Sequence, residues 1–272
     1  MSTITISNLE QLLSDFKGAV ERSISNSESS VWLRGILNMI SSRMYMMTMY
    51  EDILIQTRYF NGSKILDFGT GSGICAFFLS KLDFDVVGID IANFQDEIPS
   101  HATMKYEQEV LWAELMKESP SLSFLHYSGS IPYLDGHFSD VVAYAVLEHI
   151  PDSQVSFAIN EIKRVMHNKG ALFGSRLPRR YSYAEWLARL FRMECHDRLY
   201  TKYEINLLMQ ESGFKMILHE ETDMFPSYPA SFTNPIFPIL VPIEKVLLKT
   251  AFRGLSHHQR FVCVRDTWTD LK

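Results

Sequence analysis

Cysteine is scarce in this chain: Cys75, Cys195 and Cys263 are the only three among 272 residues. They lie far apart, are odd in number and never take C-x-x-C spacing, which excludes a disulfide framework and a cysteine zinc cluster. Reduced thiols in a cytoplasm are expected. Basic charge is also in short supply. Lys and Arg total 26 against 32 Asp and Glu, a net charge of −6, so the chain lacks the cationic excess that neutralises nucleic-acid phosphates. The one tight basic group is Arg176, Arg179 and Arg180. The most apolar stretch outside strand-like segments, residues 224–255, is too short and too interrupted by proline to span a bilayer. Residues 1–7 show no basic segment leading into an apolar core, so no signal peptide is expected. What remains is 46% hydrophobic and 21% charged, ordinary for a soluble globular protein with one large domain.

Against that background one segment stands out. Lys64-Ile65-Leu66-Asp67-Phe68 is an apolar strand ending near an acid, and Gly69-Thr70-Gly71-Ser72-Gly73 then breaks into a glycine-rich turn before an apolar helix from Ile74 to Lys81. Glycines at 69, 71 and 73 permit backbone angles that a side chain would block and let main-chain N–H groups approach a ligand. A second buried strand, Asp85 to Asp90, again closes on an acid. The order strand, glycine turn, helix, strand, acid opens an α/β nucleotide-binding domain. A dinucleotide loop wants G-x-G-x-x-G, and Ile74 stands where its third glycine should fall. A carboxylate at the loop's entrance would also repel a pyrophosphate, whereas it suits a cationic amine.

The D-x-G-x-G-x-G loop with an acid closing the next strand resembles the class I S-adenosylmethionine-dependent methyltransferase family. The resemblance implies that Asp67 holds the methionine amino group through water, that Gly69, Thr70, Gly71 and Gly73 line the methionine and ribose, and that Asp90 accepts both ribose hydroxyls, with Ile91 beside it. Ile131-Pro132-Tyr133-Leu134-Asp135-Gly136-His137-Phe138-Ser139-Asp140-Val141-Val142 resembles the family's loop and fourth strand beside the adenine. Many members place an acid just before that proline. Here Ser128, Gly129 and Ser130 stand there, so a serine hydroxyl or a backbone carbonyl, with Ile131, is implied instead.

The fourth strand runs into Ala143-Tyr144-Ala145-Val146-Leu147-Glu148-His149-Ile150-Pro151, similar to the family's "vLEHi" element at the reactive end of the cofactor, with Ala145 among the implied contacts. His149 is the candidate catalytic residue. A histidine titrating near pH 6.5 can take a proton from a hydroxyl or amine. Packing against Glu148 or capping the next helix is the alternative, and methyl transfer can also proceed on in-line placement alone. Relatives that bind a metal through E-x-x-E-H need a glutamate where Ala145 stands, so no metal site is expected.

The family implies an α/β, doubly wound, seven-stranded, mostly parallel sheet of Rossmann-like type. Residues 1–60 are expected to form a helical cover: Ser7-Asn8-Leu9-Glu10 offers a cap, the serine-rich piece Ser23 to Ser30 a turn, and Val31 to Gln56 a methionine-rich helix whose methionines pack the core or face a ligand. Tyr50, Arg58 and Tyr59 are candidate cofactor contacts from it. Residues 61–272 then form the cofactor domain. Thr201 should cap a helix that Gly213 ends.

Two inserts carry specificity. Residues 176–199 mix arginines, aromatics and His196, either to receive an anionic or sugar-bearing acceptor or to pack Trp186, Leu187 and Leu190 inward. Residues 224–255 form a lid, a membrane-surface contact or a dimer contact. The expected function is methyl transfer from S-adenosylmethionine to a small-molecule or lipid-linked acceptor, on oxygen rather than nitrogen or carbon. An oxidoreductase or epimerase on a related sheet is the rival, though no Tyr-x-x-x-Lys pair is present. A non-catalytic cofactor-binding protein is the other.

Overall fold

The computed structural model describes residues 5–27, 29–91, 99–192, 196 and 198–266; Cys195 and the extreme N-terminus lie outside them. Helices α1 (Ile6–Ser25), α2 (Val31–Ser41) and α3 (Arg43–Tyr59) precede the alternating series β1 (Lys64–Phe68), α4 (Ile74–Ser80), β2 (Asp85–Ile91), α5 (Pro99–Glu118), β3 (Leu122–Tyr127) and β4 (Asp140–Tyr144). There follow α6 (Asp152–Val165), β5 (Ala171–Pro178), α7 (Tyr183–Leu190), α8 (Lys202–Glu211), β6 (Phe214–Thr222), α9 (Ala230–Leu247) and β7 (His258–Arg265). The seven-stranded sheet has the order β3-β2-β1-β4-β5-β7-β6. Pairs among the first five are parallel, and β7 runs antiparallel to both β5 and β6. This is the fold the glycine loop and its flanking strands predict.

Near-continuous apolar strands form it because helices cover both faces of the sheet. Alternate residues sort to opposite sides. Ile65, Val86, Val142 and Phe173 join the core under α1 to α4. Their neighbours Leu66, Val87, Val141 and Leu172 join the core under α6 and α8. At the start of β4, buried Asp140 accepts from the N–H groups of Asn61 at 2.9 Å, Gly62 at 3.3 Å and Ala171 at 2.8 Å, which ties β1's entry and β5's entry to one carboxylate.

Several local expectations are corrected. The N-cap of α1 is Thr5 rather than Ser7, closing a capping box with Asn8. Ser23 and Ser25 are helical, each hydroxyl satisfied by a carbonyl four residues earlier, and the turn begins only at Asn26. The methionine-rich stretch is two helices, broken at Ser42, whose side chain caps α3. Arg176 belongs to β5, at a register shift where its φ is +54°. Trp186 and Leu190 face solvent while Glu185 is buried, the reverse of the apolar packing expected. Within residues 224–255 the chain forms α9, with Pro235, Pro238 and Pro242 inside the helix. It packs against α3 and leaves Phe232, Ile239, Ile243 and Val246 exposed. Thr201 does cap α8, through a capping box with Glu204, and Gly213 follows with φ +74°. Among the described residues no helix is long and apolar enough to cross a membrane.

Candidate active site

The C-terminal ends of β1, β2 and β4 open into a cleft of about 1020 Å³ lined by Gly69, Gly71, Asp90, Ile91, Gly129, Ile131, Ala145 and His149, among others. Of these widely separated positions, Gly69, Gly71, Asp90, Ile91, Ile131 and Ala145 were picked out from the sequence for cofactor contact and His149 for catalysis. Gly69 sits at φ +70°, and a Cβ there would collide with Val146, so glycine is required both by the turn and by close approach. Asp90 stands at the middle of the floor. Its Oδ2 accepts from the Gly71 N–H at 2.8 Å and from Gln108 Nε2 at 3.2 Å, and its Oδ1 accepts from the Ile91 N–H at 2.8 Å. Burial pushes its carboxyl above the usual range, with those donors pulling back.

The other named residues lie behind or beside the cleft. Asp67 is 1% exposed; its Oδ2 accepts from Thr70 Oγ1 at 2.6 Å, while Oδ1 is buried without a hydrogen-bond partner. Burial pushes Asp67 up to about 6. It and Thr70 therefore brace the loop from beneath. Gly73, at φ +78°, heads α4, and a Cβ on it would strike Phe124, so it serves helix packing. Ser130 is exposed. Tyr50 and Tyr59 pack on Phe78 and Phe173, and the cleft's N-terminal wall is instead α2, through Trp32, Gly35, Ile36 and Met39.

Sequence reasoning passed over Gln108 and Trp112, whose side chains both donate to the Gly71 carbonyl, at 2.9 and 3.0 Å. Their i, i+4 spacing on one helix face was the available signal. Glu161, which also lines the cleft, accepts from the Ile131 N–H at 2.9 Å and from Arg164. No Lys or Arg lines this cleft among the described residues. A roomy cavity with bare backbone on one side, a carboxylate on its floor and no cation fits a positively charged, phosphate-free adenosine compound better than a pyrophosphate.

Beyond β4, Ala145 adopts φ +49°, an uncommon conformation for a side-chain-bearing residue and one that collects at functional sites. The chain then makes a short 3-10 turn, Leu147–His149. His149 is exposed, and its Nε2 lies 3.9 Å from Glu148 Oε1. Glu148 is buried, its Oε2 has no hydrogen-bond partner, and burial pushes it up to about 7 against the weaker pull of its own backbone and of Arg176. A second cavity of about 780 Å³ lies on the other side, lined by Glu148, His149, Ile150, Pro151, Glu185, His196, Arg198 and His257, among others. His149, Ile150 and Pro151 line both cavities.

Comparison with known proteins agrees with this geometry. The family model described as "Methyltransferase domain" matches residues 48–219. No curated protein matches. Among solved structures, the chain is similar to magnesium protoporphyrin IX methyltransferase (ChlM) from Synechocystis PCC 6803 with bound SAH, at 14% identity, covering 91% of this chain and 93% of that one with a TM-score of 0.53. It is similar to the 1,6-didemethyltoxoflavin-N1-methyltransferase of Burkholderia thailandensis at 13% identity, covering 97% and 92%, with a TM-score of 0.54. The [4+2]-cyclase SpnF shares the fold at 16% identity, 81% coverage of each chain and a TM-score of 0.56. The match to the family model takes in well over half of the chain, which belongs to the Methyltransferase domain family and is a class I S-adenosylmethionine-dependent methyltransferase.

Proposed function

We propose that the chain methylates an oxygen of a small-molecule or lipid-linked acceptor, with His149 as the catalytic residue and Glu148 as its positioning partner. The observation that carries this reading is the place of His149 on the seam between the two cavities, one suited to the cofactor and the other free for an acceptor. S-adenosylmethionine, when bound, supplies a methyl group on an electrophilic sulfonium. The remaining work falls to the protein. Asp90 accepts the ribose hydroxyls, the bare backbone at Gly69 and Gly71 lets the ligand lie close, and Ile91, Ile131 and Ala145 wall it in. Asp67, Thr70 and Gly73 hold the loop's shape, and Ser130 meets the adenine end from the rim. His149 takes the acceptor's hydroxyl proton, and the carboxylate of Glu148, 3.9 Å from Nε2, stabilises the imidazolium that forms.

The cofactor cleft is walled by Trp32, Ile36, Met39, Val146 and Phe157, and apolar walls with few polar groups suit a small organic molecule. The two methyltransferase neighbours are named for small-molecule substrates, which supports the same class. The exposed apolar stripe of α9 supports the lipid-linked version, since such a stripe can rest at a bilayer surface.

Calorimetry tests the binding half. S-adenosylhomocysteine should bind with micromolar affinity, and Asp90→Ala should weaken it roughly 10–100-fold, the usual worth of a hydrogen bond to a charged group. Absence of binding, or NAD binding in its place, would overturn the reading. Mass spectrometry of acceptors incubated with labelled S-adenosylmethionine tests the other half: a label found on nitrogen or carbon removes the oxygen assignment.

A further inference from the structure

Glu185 on α7, His196 in the connection after it, and His257 just before β7 converge from distant parts of the chain on the second cavity. His196 Nδ1 lies 2.6 Å and His257 Nε2 lies 3.0 Å from the same oxygen, Glu185 Oε1. One ligand atom from each residue lies within 4.8 Å of the other two. We propose that these three side chains form a binding site for one divalent transition-metal ion of the zinc class, separate from the E-x-x-E-H position that Ala145 vacates.

The donor set argues for such an ion. Two imidazoles and a carboxylate are ligands for zinc and its first-row neighbours, whereas Mg²⁺ and Ca²⁺ prefer all-oxygen sites. Zinc–ligand bonds of about 2.0–2.2 Å at the tetrahedral angle put ligand atoms roughly 3.4 Å apart. Side-chain rotations of about an ångström would therefore replace the two contacts to Oε1 with bonds to a shared ion.

The supports are already in place. Ser182 caps α7 through the Glu185 N–H, the His196 N–H donates to Glu185 Oε2 at 3.2 Å, and the His257 N–H donates to the Asp223 carbonyl at 2.9 Å. The His257 ring also lies on His258, centroids 3.9 Å apart. His258 is not a fourth ligand, because its Nδ1 is engaged by Asp223 Oδ2 at 2.6 Å. Three protein ligands leave a coordination position open toward the cavity, the arrangement of sites that bind a further oxygen or nitrogen donor. Glu148 and His149 line that same cavity, so a donor group there would belong to a molecule lying next to the methyl-transfer seam.

Cobalt is the probe. Protein freed of metal by chelator dialysis should take up one equivalent of Co²⁺ with saturable visible bands of a four- or five-coordinate ion, and Zn²⁺ should displace it. Zn²⁺ should raise the melting temperature of the wild-type protein but not of His196→Ala. That variant alters a partly exposed side chain outside the cofactor cleft, so retained S-adenosylhomocysteine binding certifies its fold. His196→Ala and His257→Ala should each weaken Co²⁺ binding by more than the roughly 10–100-fold that outer-sphere partners contribute. A wild-type protein showing only the spectrum of the aquo ion, or variants that bind like wild type, would overturn the proposal and leave Glu185 as a hydrogen-bonded anchor for two histidines. S-adenosylhomocysteine binding by the same samples keeps that failure distinct from failure of the methyltransferase reading.

Discussion

Asp223→Ala is expected to lower the unfolding free energy by about 3–5 kcal/mol, the cost of leaving a buried charge without its partner. Asp223 is buried just after β6, ahead of α9, at φ +57°. It accepts from Thr48 Oγ1 at 2.5 Å and from His258 at 2.6 Å, and it faces Arg176 Nη1 at 3.8 Å. Burial alone would raise its carboxyl; Arg176, His258 and Thr48 outweigh that and hold it well below the ordinary carboxylate range. Arg176 depends on it. The guanidinium lies over the Tyr45 ring at 4.3 Å, its Nη1 has no hydrogen bond, and Asp223 is foremost among the groups whose charge favours its charged form, ahead of Asp52. Because the folded pKa is depressed, this stabilisation is fully present above the unfolded pKa near 3.9 and is lost as pH falls below it. Asp223→Asn, which keeps the shape and loses the charge, should fall between wild type and alanine. Urea melts at pH 7 decide the matter: a loss under about 1 kcal/mol for the alanine variant, no more than an ordinary single hydrogen bond, would show that the cluster is solvated rather than held by charge.

Such a cluster could not be found by scanning the sequence, since it joins positions 48, 176, 223 and 258, and the same is true of Glu185, His196 and His257. What was legible is local. The glycine loop, the acid closing β2 and the "vLEHi" turn each carry their chemistry within a few residues, and together they predicted the sheet and much of the cleft. Apolar strands were legible because burial on both faces demands them. Element ends were less so, because Thr5 and Ser7, or Ser23 and Asn26, compete for caps on nearly equal terms and tertiary packing decides. No secondary structure was legible for residues 224–255, because the prolines of α9 do not exclude a helix where they stand: residues 235, 238 and 242 fall on its outward, exposed side, where a bend and missing N–H donors can be met by water. Asp67 was legible as a motif residue but not as one turned inward to Thr70, since spacing gives no direction to a side chain.

Glu148→Gln should act in two opposed ways, slowing turnover about 100-fold while removing a destabilisation at high pH. The carboxyl is buried, carries an oxygen with no hydrogen-bond partner, and is pushed up to about 7 chiefly by burial. Around it stand His149, Arg176 and Tyr200, with Asp152, Glu185, His196, Arg198 and His257 lining the same cavity. A folded pKa raised above the ordinary glutamate value means the fold favours the neutral acid, so stability is lost as pH rises from about 4.5 through about 7. By pH 8 the wild type should have lost about 3 kcal/mol that an uncharged glutamine does not lose. Turnover runs the other way, because a carboxylate must be ionised to steady the imidazolium. The wild-type rate should climb with pH through about 7, and Glu148→Gln should lose that limb together with about two orders of magnitude, the typical share of general base catalysis. His149→Ala should lose the rate but keep the pH slope of stability, which separates the proton acceptor from its partner. Paired urea melts at pH 5 and 8 and a pH–rate profile read both arms. If Glu148→Gln turns over as fast as wild type with an unchanged profile, the carboxylate has no part in the proton transfer; if His149→Ala does so as well, methyl transfer at this site proceeds by placement of donor and acceptor alone.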